Sequence, residues 1–179
     1  MSTHSIDKGA ITGKGTSSRA IRETDVVRIT AKADYAVRAA AELAAAQPSG
    51  NPVKGEALAK SQGIPQNFLE NILTELRRAG LIRTRRGADG GYQLARPAKL
   101  ITVADVLRAV EGPLAAVQGV QPQDLDYGGS AKHLPELWVA VRASLRGVLE
   151  KTTLADLADG HLPRAVTTKT ADPDAWHRR

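Results

Sequence analysis

The chain has 179 residues, of which 42% are hydrophobic and only 3% aromatic, and it contains no cysteine. Alanine, leucine and valine must therefore fill the core, which favours a compact helical protein of one or two domains. The lack of cysteine excludes disulfides and thiolate metal sites. No apolar run approaches ~20 residues, and no apolar signal segment opens the chain, so we expect a cytoplasmic protein without a membrane span.

The net charge of +6 is concentrated in one part of the chain. Residues 26–100 contain 12 basic and 6 acidic side chains, whereas residues 101–179 contain 9 and 10. A local basic excess is the electrostatic footprint that a phosphate backbone requires. The alternative is a solvated basic face that binds nothing, but the excess coincides with the motif described below.

The first 26 residues are rich in Ser, Thr, Gly and Lys and show no hydrophobic period, so we predict a disordered extension over 1–26. Folding is expected to begin at 27 and to give a first domain over 27–100.

Thr30 is a suitable N-cap for an alanine-rich helix over 31–46. Lys32 and Tyr35 lie on its early turns, near Arg38. They either contact phosphates or form the solvated edge of a core helix.

The stretch from 55 to 80 has the spacing of a helix-turn-helix. A helix over 55–62 is followed by Gly63, which can adopt the positive φ of a sharp turn. A second helix starts at Pro65 and runs to about Ala79, with Gly80 as the residue after its C-cap. The predicted buried stripe of this helix consists of Phe68, Leu69, Ile72, Leu73 and Leu76.

The polar residues of the second helix are candidates for reading bases. Gln66, Asn67, Glu70 and Asn71 project away from the stripe near the N-terminus of the helix. Glu75, further along the helix, also projects away from the stripe. An Asn amide can pair with adenine and a Glu carboxylate with the cytosine amino group. Arg77 and Arg78, at the other end, either meet phosphate or complement the helix dipole.

Two short strands, 81–85 and 92–94, enclose a basic, glycine-rich hairpin tip over 86–91. The tip lacks the order of a phosphate-binding P-loop. A plain hairpin turn also explains the glycines, but Arg83, Arg85 and Arg86 favour contact with DNA. We expect Arg86 to contact the backbone or the minor groove, and residues 53–54 to pair weakly with the strands. A helix-turn-helix followed by such a hairpin is a winged helix.

Residues 101–160 are predicted to form a second region. Thr102 and Asp105 resemble a capping box that opens a short helix. A loop of about 20 residues follows over 114–133. An amphipathic helix of about 16 residues comes next, and a further short helix covers 153–159. Residues 161–179 are polar and are predicted to be a flexible tail.

The amphipathic helix has two interpretations. It either folds back on its own domain or pairs with its copy in a dimer. We favour the dimer, because two-fold symmetric DNA readers need one to span two half-sites. The expected interface residues are Leu137, Trp138, Val141, Leu145, Val148 and Leu149. The fold class is therefore mainly α, a winged helix-turn-helix with a small β-hairpin wing and a long C-terminal dimerisation helix.

Three stretches together resemble the Rrf-type winged-helix regulators, the family that includes IscR, NsrR and CymR. They are RITAKADYAVRAAAELA at 28–44, GIPQNFLENILTELRRAGLIRTRRGADGGYQLAR at 63–96 and TVADVLRAVEGPL at 102–114. The resemblance covers roughly residues 27–159. It implies homodimeric DNA-binding transcription regulators, mostly repressors, whose long C-terminal helices cross at the dimer interface.

The resemblance also implies roles for particular residues. Asn67, Glu70 and Asn71 occupy base-reading positions. Arg86 and Gly87 occupy the wing position that enters the minor groove, and the region around Lys32 and Tyr35 contacts the backbone.

The chain departs from the family at the cofactor. Many members hold an iron–sulfur cluster through three cysteines in the loop before the dimer helix. The corresponding loop here, 114–133, has none, and Pro135 stands where some members have a histidine. Asp34 does occupy the place of a carboxylate ligand in some members, but one carboxylate does not make a cluster site. We therefore expect no metal and no cofactor.

The leading hypothesis is a homodimeric, sequence-specific DNA-binding regulator, a repressor, bound to double-stranded DNA at a palindromic operator. The alternative is a winged-helix module that acts by docking a partner protein. An enzyme is not expected, because no nucleophile–base arrangement, metal-ligand spacing or phosphate loop is present in the sequence. The loop and the dimer interface could hold a small effector, or a partner protein could be the sensor.

Overall fold

The computed structural model describes residues 29–87, 89–117 and 119–177. Within these residues the fold is mainly helical with one two-stranded sheet, which confirms the predicted fold class. The predicted disordered segment 1–26 lies outside the described residues. The elements in chain order are α1 Ala31–Ala46, α2 Gly55–Gln62, α3 Gln66–Arg78, β1 Ile82–Arg85, β2 Gly91–Leu94, α4 Val103–Glu111, α5 Leu134–Leu149, α6 Leu154–Asp159 and α7 Arg164–Thr170.

Helix α1 is the central helix of the fold. It starts as predicted, since the Thr30 hydroxyl accepts a hydrogen bond from the N–H of Ala33 at 3.0 Å. Its buried face consists mostly of alanine, so neighbouring backbones can approach closely. Helices α2, α3, α4 and α6 all pack against it. The buried residues of α1 are Ala33, Ala36, Ala39, Ala40, Leu43 and Ala44.

The turn between α2 and α3 depends on Gly63. Its φ of 61° lies in the left-handed region, which costs a glycine nothing and other residues about 1 kcal/mol or more. The turn is closed by a hydrogen bond of 2.9 Å from the N–H of Ile64 to the carbonyl of Ala59. This geometry confirms the helix-turn-helix that the spacing predicts.

Helix α3 buries Leu69, Ile72, Leu73 and Leu76, as predicted. It begins at Gln66, so Pro65 is the N-cap residue rather than the first helical position. The prediction that Phe68 is buried is wrong, because its side chain is 56% exposed. A residue next to Leu69 is turned by about 100° around the helix, which carries Phe68 to the edge of the stripe.

The wing is an antiparallel hairpin in which Ile82 pairs with Leu94 and Arg85 with Gly91. The predicted pairing of residue 53 is confirmed: the N–H of Val53 donates to the carbonyl of Tyr92 at 2.9 Å, and the reverse bond measures 2.8 Å. A Cβ atom on Gly91 would lie 2.5 Å from the Val53 carbonyl oxygen. The pairing with Val53 attaches the hairpin to the segment that precedes α2. The close approach leaves no room for a Cβ atom, so position 91 requires a glycine.

Two matching capping boxes occur within the second region, residues 101–160. The side chains of Thr102 and Thr153 each accept the N–H of the aspartate three residues later, Asp105 and Asp156, and each aspartate accepts the threonine N–H in return. The two threonines form an antiparallel bridge. The bridge therefore brings the start of α4 beside the start of α6, and both helices pack against α1.

The buried residues form a cluster that crosses the predicted boundary between 27–100 and 101–160. Leu76 of α3, Val106 of α4 and Leu154 of α6 all belong to it. The segment after α3 and the wing thus completes the core of the helix-turn-helix rather than building one of its own.

Helix α5 makes polar contacts with the rest of the chain at its middle and at its end. At its middle Arg142 donates to the side-chain oxygens of Gln121 and Gln123, at 3.1 and 2.6 Å. At its end Glu150 forms ion pairs with Arg108 of α4 and with Arg146. The Arg108 guanidinium, followed by that of Arg146, lowers the pKa of the Glu150 carboxyl below its ordinary value.

Residues 161–177, in the predicted flexible tail, contain regular elements in the structure, and the flexibility itself stays a prediction. These elements are α7 and a 3-10 helix over Pro173–Trp176. Neither element has a buried residue. The sequence analysis missed them because they lack the apolar stripe by which the other helices are recognised.

Candidate nucleic-acid interface

The outward face of α3 presents polar side chains to solvent. Gln66, Asn67, Glu70 and Asn71 are all exposed, on the face opposite the buried leucines. The Gln66 amide donates to the Glu70 carboxylate at 3.2 Å, which orients that carboxylate along the helix. Two short amides and one oriented carboxylate on adjacent turns can reach base edges in a major groove.

Arg77 and Arg78 lie in the last turn of α3 and are exposed. Positive charge at this end complements the helix dipole. No ion pair engages either guanidinium within the residues that the structure describes, so both remain available to an external anion.

The predicted wing residues Arg86 and Gly87 are exposed at the tip of the hairpin. Gly87 has a φ of 110°, and its carbonyl accepts the N–H of Gly90 at 3.0 Å. A Cβ atom on Gly90 would lie 2.5 Å from the carbonyl oxygen of Arg85. The tip is therefore a tight turn, and the Arg86 side chain is exposed beside it.

Lys32 is already engaged within the chain. Its ammonium forms an ion pair with Glu75 of α3 at 2.8 Å and donates to the carbonyl of Val110 at 2.7 Å. These contacts tie α1 to α3 and α4. A contact between Lys32 and DNA would have to share or break these two contacts. No local feature of the sequence indicates that Lys32 is engaged in this way.

Tyr35 belongs to a small aromatic cluster at the junction of α1 and α3. Its ring meets that of Phe68 edge-on, with centroids 6.3 Å apart, and the guanidinium of Arg38 lies over it at 5.4 Å. Arg38 also pairs with Asp34 at 3.0 Å. Tyr35 is half-buried, so the cluster holds its ring in place beside α3.

Four basic side chains of α1, α4 and α5 are paired with carboxylates: Lys32, Arg38, Arg108 and Arg146. Those of α3 and the wing have no carboxylate partner among the described residues: Arg77, Arg78, Arg83, Arg85 and Arg86. The helix α3 and the wing thus carry five arginines without a carboxylate partner in the described part of the chain. The sequence analysis names Arg83 and Arg85 as favouring contact with DNA, and their i, i+2 spacing on a strand also places them on one face.

The six residues predicted for a dimer interface all lie on α5. No residue of this helix is buried in the single chain, and Leu137 is 54% exposed. The indole N–H of Trp138 is shielded from solvent and has no hydrogen-bond acceptor within the described part of the chain. The structure does not contain a second chain, so the assignment of these residues stays a prediction.

An exposed polar recognition helix beside an arginine-bearing hairpin defines the class of winged-helix DNA-binding regulators. A sequence profile of the Rrf2 family, described as iron-dependent transcriptional regulators, matches residues 29–160. The chain belongs to this Rrf2 family of transcriptional regulators, and this confirms the resemblance found in the sequence.

Individual relatives agree with this assignment. Rv1287 of Mycobacterium tuberculosis, which is named as an HTH-type transcriptional regulator, is 52% identical over 146 residues, covering 82% of this chain and 90% of that protein. The solved structure of CymR (YrzC), described as the global cysteine regulator of B. subtilis, is 33% identical with a TM-score of 0.64 and covers 75% of this chain and 98% of its own. IscR of T. potens is 31% identical with a TM-score of 0.60, over 86% and 93% of the two chains.

The description of the family implies iron, and the donor atoms of this chain do not fit a cysteine-ligated cluster. The loop over 114–133 offers Asp124, Asp126 and His133 but no cysteine. Asp34, the remaining candidate, is paired with Arg38. Across the described ranges no group of three His, Cys, Asp or Glu side chains could hold a metal ion. A search of the same ranges for a helix that could cross a membrane finds none.

Proposed function

We propose that the chain is a homodimeric, sequence-specific repressor of transcription that works without a cysteine-ligated iron–sulfur cluster. One observation carries the proposal: the exposed polar face of α3 is followed by arginines, in its last turn and in the wing, that have no carboxylate partner within the described chain. Those arginines suit phosphates on either side of a groove, and the polar face suits base edges between them.

The base contacts would come from α3. Asn67 and Asn71 can each pair with adenine, and the oriented Glu70 carboxylate can accept from a cytosine amino group. Each good contact would discriminate against a wrong base by roughly 1–3 kcal/mol. Gln66 would serve mainly by orienting Glu70.

The backbone contacts would surround these. Arg77 and Arg78 would meet phosphates at the end of α3, and Arg86 with Gly87 would enter the neighbouring minor groove. Tyr35 would reach a phosphate through its hydroxyl from the fixed ring position described above. Lys32 would contribute chiefly by holding α1 against α3, because its ammonium is engaged by Glu75.

Dimerisation would occur through α5. Its 16 residues span about 24 Å and leave every hydrophobic side chain incompletely buried. A second copy of α5 would cover Leu137, Trp138, Val141, Leu145, Val148 and Leu149, and it could supply an acceptor for the indole N–H of Trp138. A two-fold dimer would then read two half-sites of a palindrome.

Repression follows from the size of such a complex. A dimer that occupies two half-sites about 34–36 Å apart covers DNA that a polymerase also needs. Because the target is chromosomal DNA, we place the protein in the cytoplasm of a bacterial cell. CymR, a relative that is 34% identical, is likewise named as a transcriptional regulator.

The test is selection of genomic DNA fragments by the purified protein, followed by sequencing of what is retained at low and at raised salt. We expect a short palindrome to be enriched. Binding to it should weaken steeply with salt, because phosphate contacts release counterions. Addition of an iron chelator should leave binding unchanged, and a promoter that contains the palindrome should give less transcript when the protein is added.

Single variants locate the interface. Arg86→Ala should weaken operator binding about tenfold or more, whereas Lys169→Ala, which removes an exposed charge on α7, should not. Retention of DNA without a shared motif would reduce the proposal to backbone binding and would favour a docking module. More transcript, rather than less, would make the protein an activator.

A further inference from the structure

The outer face of the wing carries two arginines that have no role in the proposed contacts of α3 and Arg86 with an operator. Arg83 and Arg85 alternate along β1, so both side chains lie on the face opposite the core residue Ile82. Both are exposed. Their Cα atoms are about 7 Å apart along the strand.

The neighbours across the hairpin leave this arginine pair uncovered. Arg85 lies opposite Gly91, which has no side chain, and Arg83 lies opposite Gln93. The Gln93 amide is turned toward the carbonyl of Gly50, to which it donates at 2.7 Å. No carboxylate pairs with either guanidinium in the described part of the chain, in contrast to Arg38 and Arg108.

The arginine pair borders an open groove of about 520 Å³ beside the hairpin. Its opposite wall includes Gln47, Gly50 and Asn51, which connect α1 to α2. This wall carries amide groups and no charge. Leu43, Tyr92 and Leu94 add an apolar part to the lining, and Arg83 and Arg85 are the charged side chains of the groove.

We propose that this groove binds backbone phosphates of the DNA that flanks the operator, beyond the minor-groove position of Arg86. The inference rests on the proposed function, because it extends the same interface. Charge complementarity, and the position of Arg85 directly before Arg86 in the chain, favour a DNA strand as the occupant. Arg83 and Arg85 would contact two phosphates per protomer, adding affinity and length of footprint but no choice of base.

The experiment compares two duplexes that carry the same palindrome. One ends at the outer edge of each half-site, and the other continues for about one helical turn on both sides. Binding of full-length protein is followed by fluorescence anisotropy between about 50 and 200 mM salt. The variants are Arg83→Gln with Arg85→Gln, and the matched control Arg164→Gln with Lys169→Gln, which removes the same charge from α7.

We expect the natural protein to bind the long duplex more tightly than the short one. The Arg83/Arg85 variant should lose this difference, and its slope of log affinity against log salt should fall by about 0.9 for each lost phosphate contact. Its preference for the palindrome should be unchanged. The control should behave as the natural protein, and equal thermal midpoints would show that all three proteins fold.

Two results would overturn the inference while leaving the proposed function intact. One is a natural protein that selects the palindrome but binds both duplexes equally. The other is an Arg83/Arg85 variant with the same length dependence and salt slope as the natural protein. Failure of the natural protein to select any DNA sequence would instead refute the proposed function, and the inference with it.

Discussion

Helices α1 and α5 have the same length, 16 residues each, but opposite environments. Six residues of α1 are buried and none of α5 is. Alanines on α1 let four helices approach it, whereas α5 presents larger side chains to few neighbours. A helix whose broad apolar face is incompletely buried is stabilised chiefly when that face packs against another element. The contrast shows that α1 is central to the fold of the chain, and it supports the proposal that α5 packs against a partner.

The largest effect is expected from variants that break the proposed dimer and leave the fold of each chain intact. Val141→Asp combined with Leu145→Asp would place charges in the proposed α5 interface and should give a monomer in sedimentation experiments. Operator affinity should fall about 10²–10⁴-fold, because the second half-site is no longer tethered to the first. Helix content should be retained. A double variant that remains dimeric would show that α5 is not the interface.

A matched pair of leucine substitutions compares the two helices directly. Leu43→Ala, at a side chain that is 2% exposed, should lower the free energy of unfolding by about 2–5 kcal/mol. Leu137→Ala, on α5, should shift the thermal midpoint only at protein concentrations where dimers form. The thermal midpoints of both variants are measured across a dilution series. A Leu137→Ala shift that persists in the monomer would mean that α5 folds back onto its own chain.

Two glycines provide the next comparison. Gly91→Ala forces a Cβ atom against the Val53 carbonyl and should cost roughly 1–3 kcal/mol of stability. Gly147→Ala on α5 meets nothing within 4 Å in the single chain and should stabilise the helix by about 0.5–1 kcal/mol. Chemical denaturation measures both. Loss of dimer on Gly147→Ala would place the partner helix against this glycine.

The smallest effect is expected at the end of α5. The pKa of Glu150 is lowered in the folded chain by Arg108 and Arg146, so its contribution to stability is present above its ordinary pKa and is lost as the pH falls through the lowered value. Glu150→Gln should therefore lower the thermal midpoint at pH 7 and have no effect well below about pH 4. Asp126→Asn, at an exposed loop carboxylate for which the described chain offers no ion pair, should leave the thermal midpoint at pH 7 unchanged. Equal midpoints of Glu150→Gln and natural protein at neutral pH would contradict this account.

Features that depend on a few neighbouring residues could be predicted from the sequence. The Thr30 cap, the Thr102 capping box, the turn at Gly63 and the limits of α1, α2 and α5 were all correct, because each depends on interactions within one or two turns of the chain. The winged-helix class followed from the order of these local signals. The polar face of α3 followed from its helical period, and the structure places those residues on the surface as expected.

Features that depend on distant residues were decided only by the tertiary structure. The ion pair that engages Lys32 joins residues 43 positions apart, and the need for glycine at 91 comes from Val53 on another segment. The exposure of Phe68 depends on how far α1 covers the edge of α3. The uncovered arginine pair on the wing depends on which side chains lie across the hairpin. Local signals determine where helices begin and end, whereas packing determines which side chains remain free to bind.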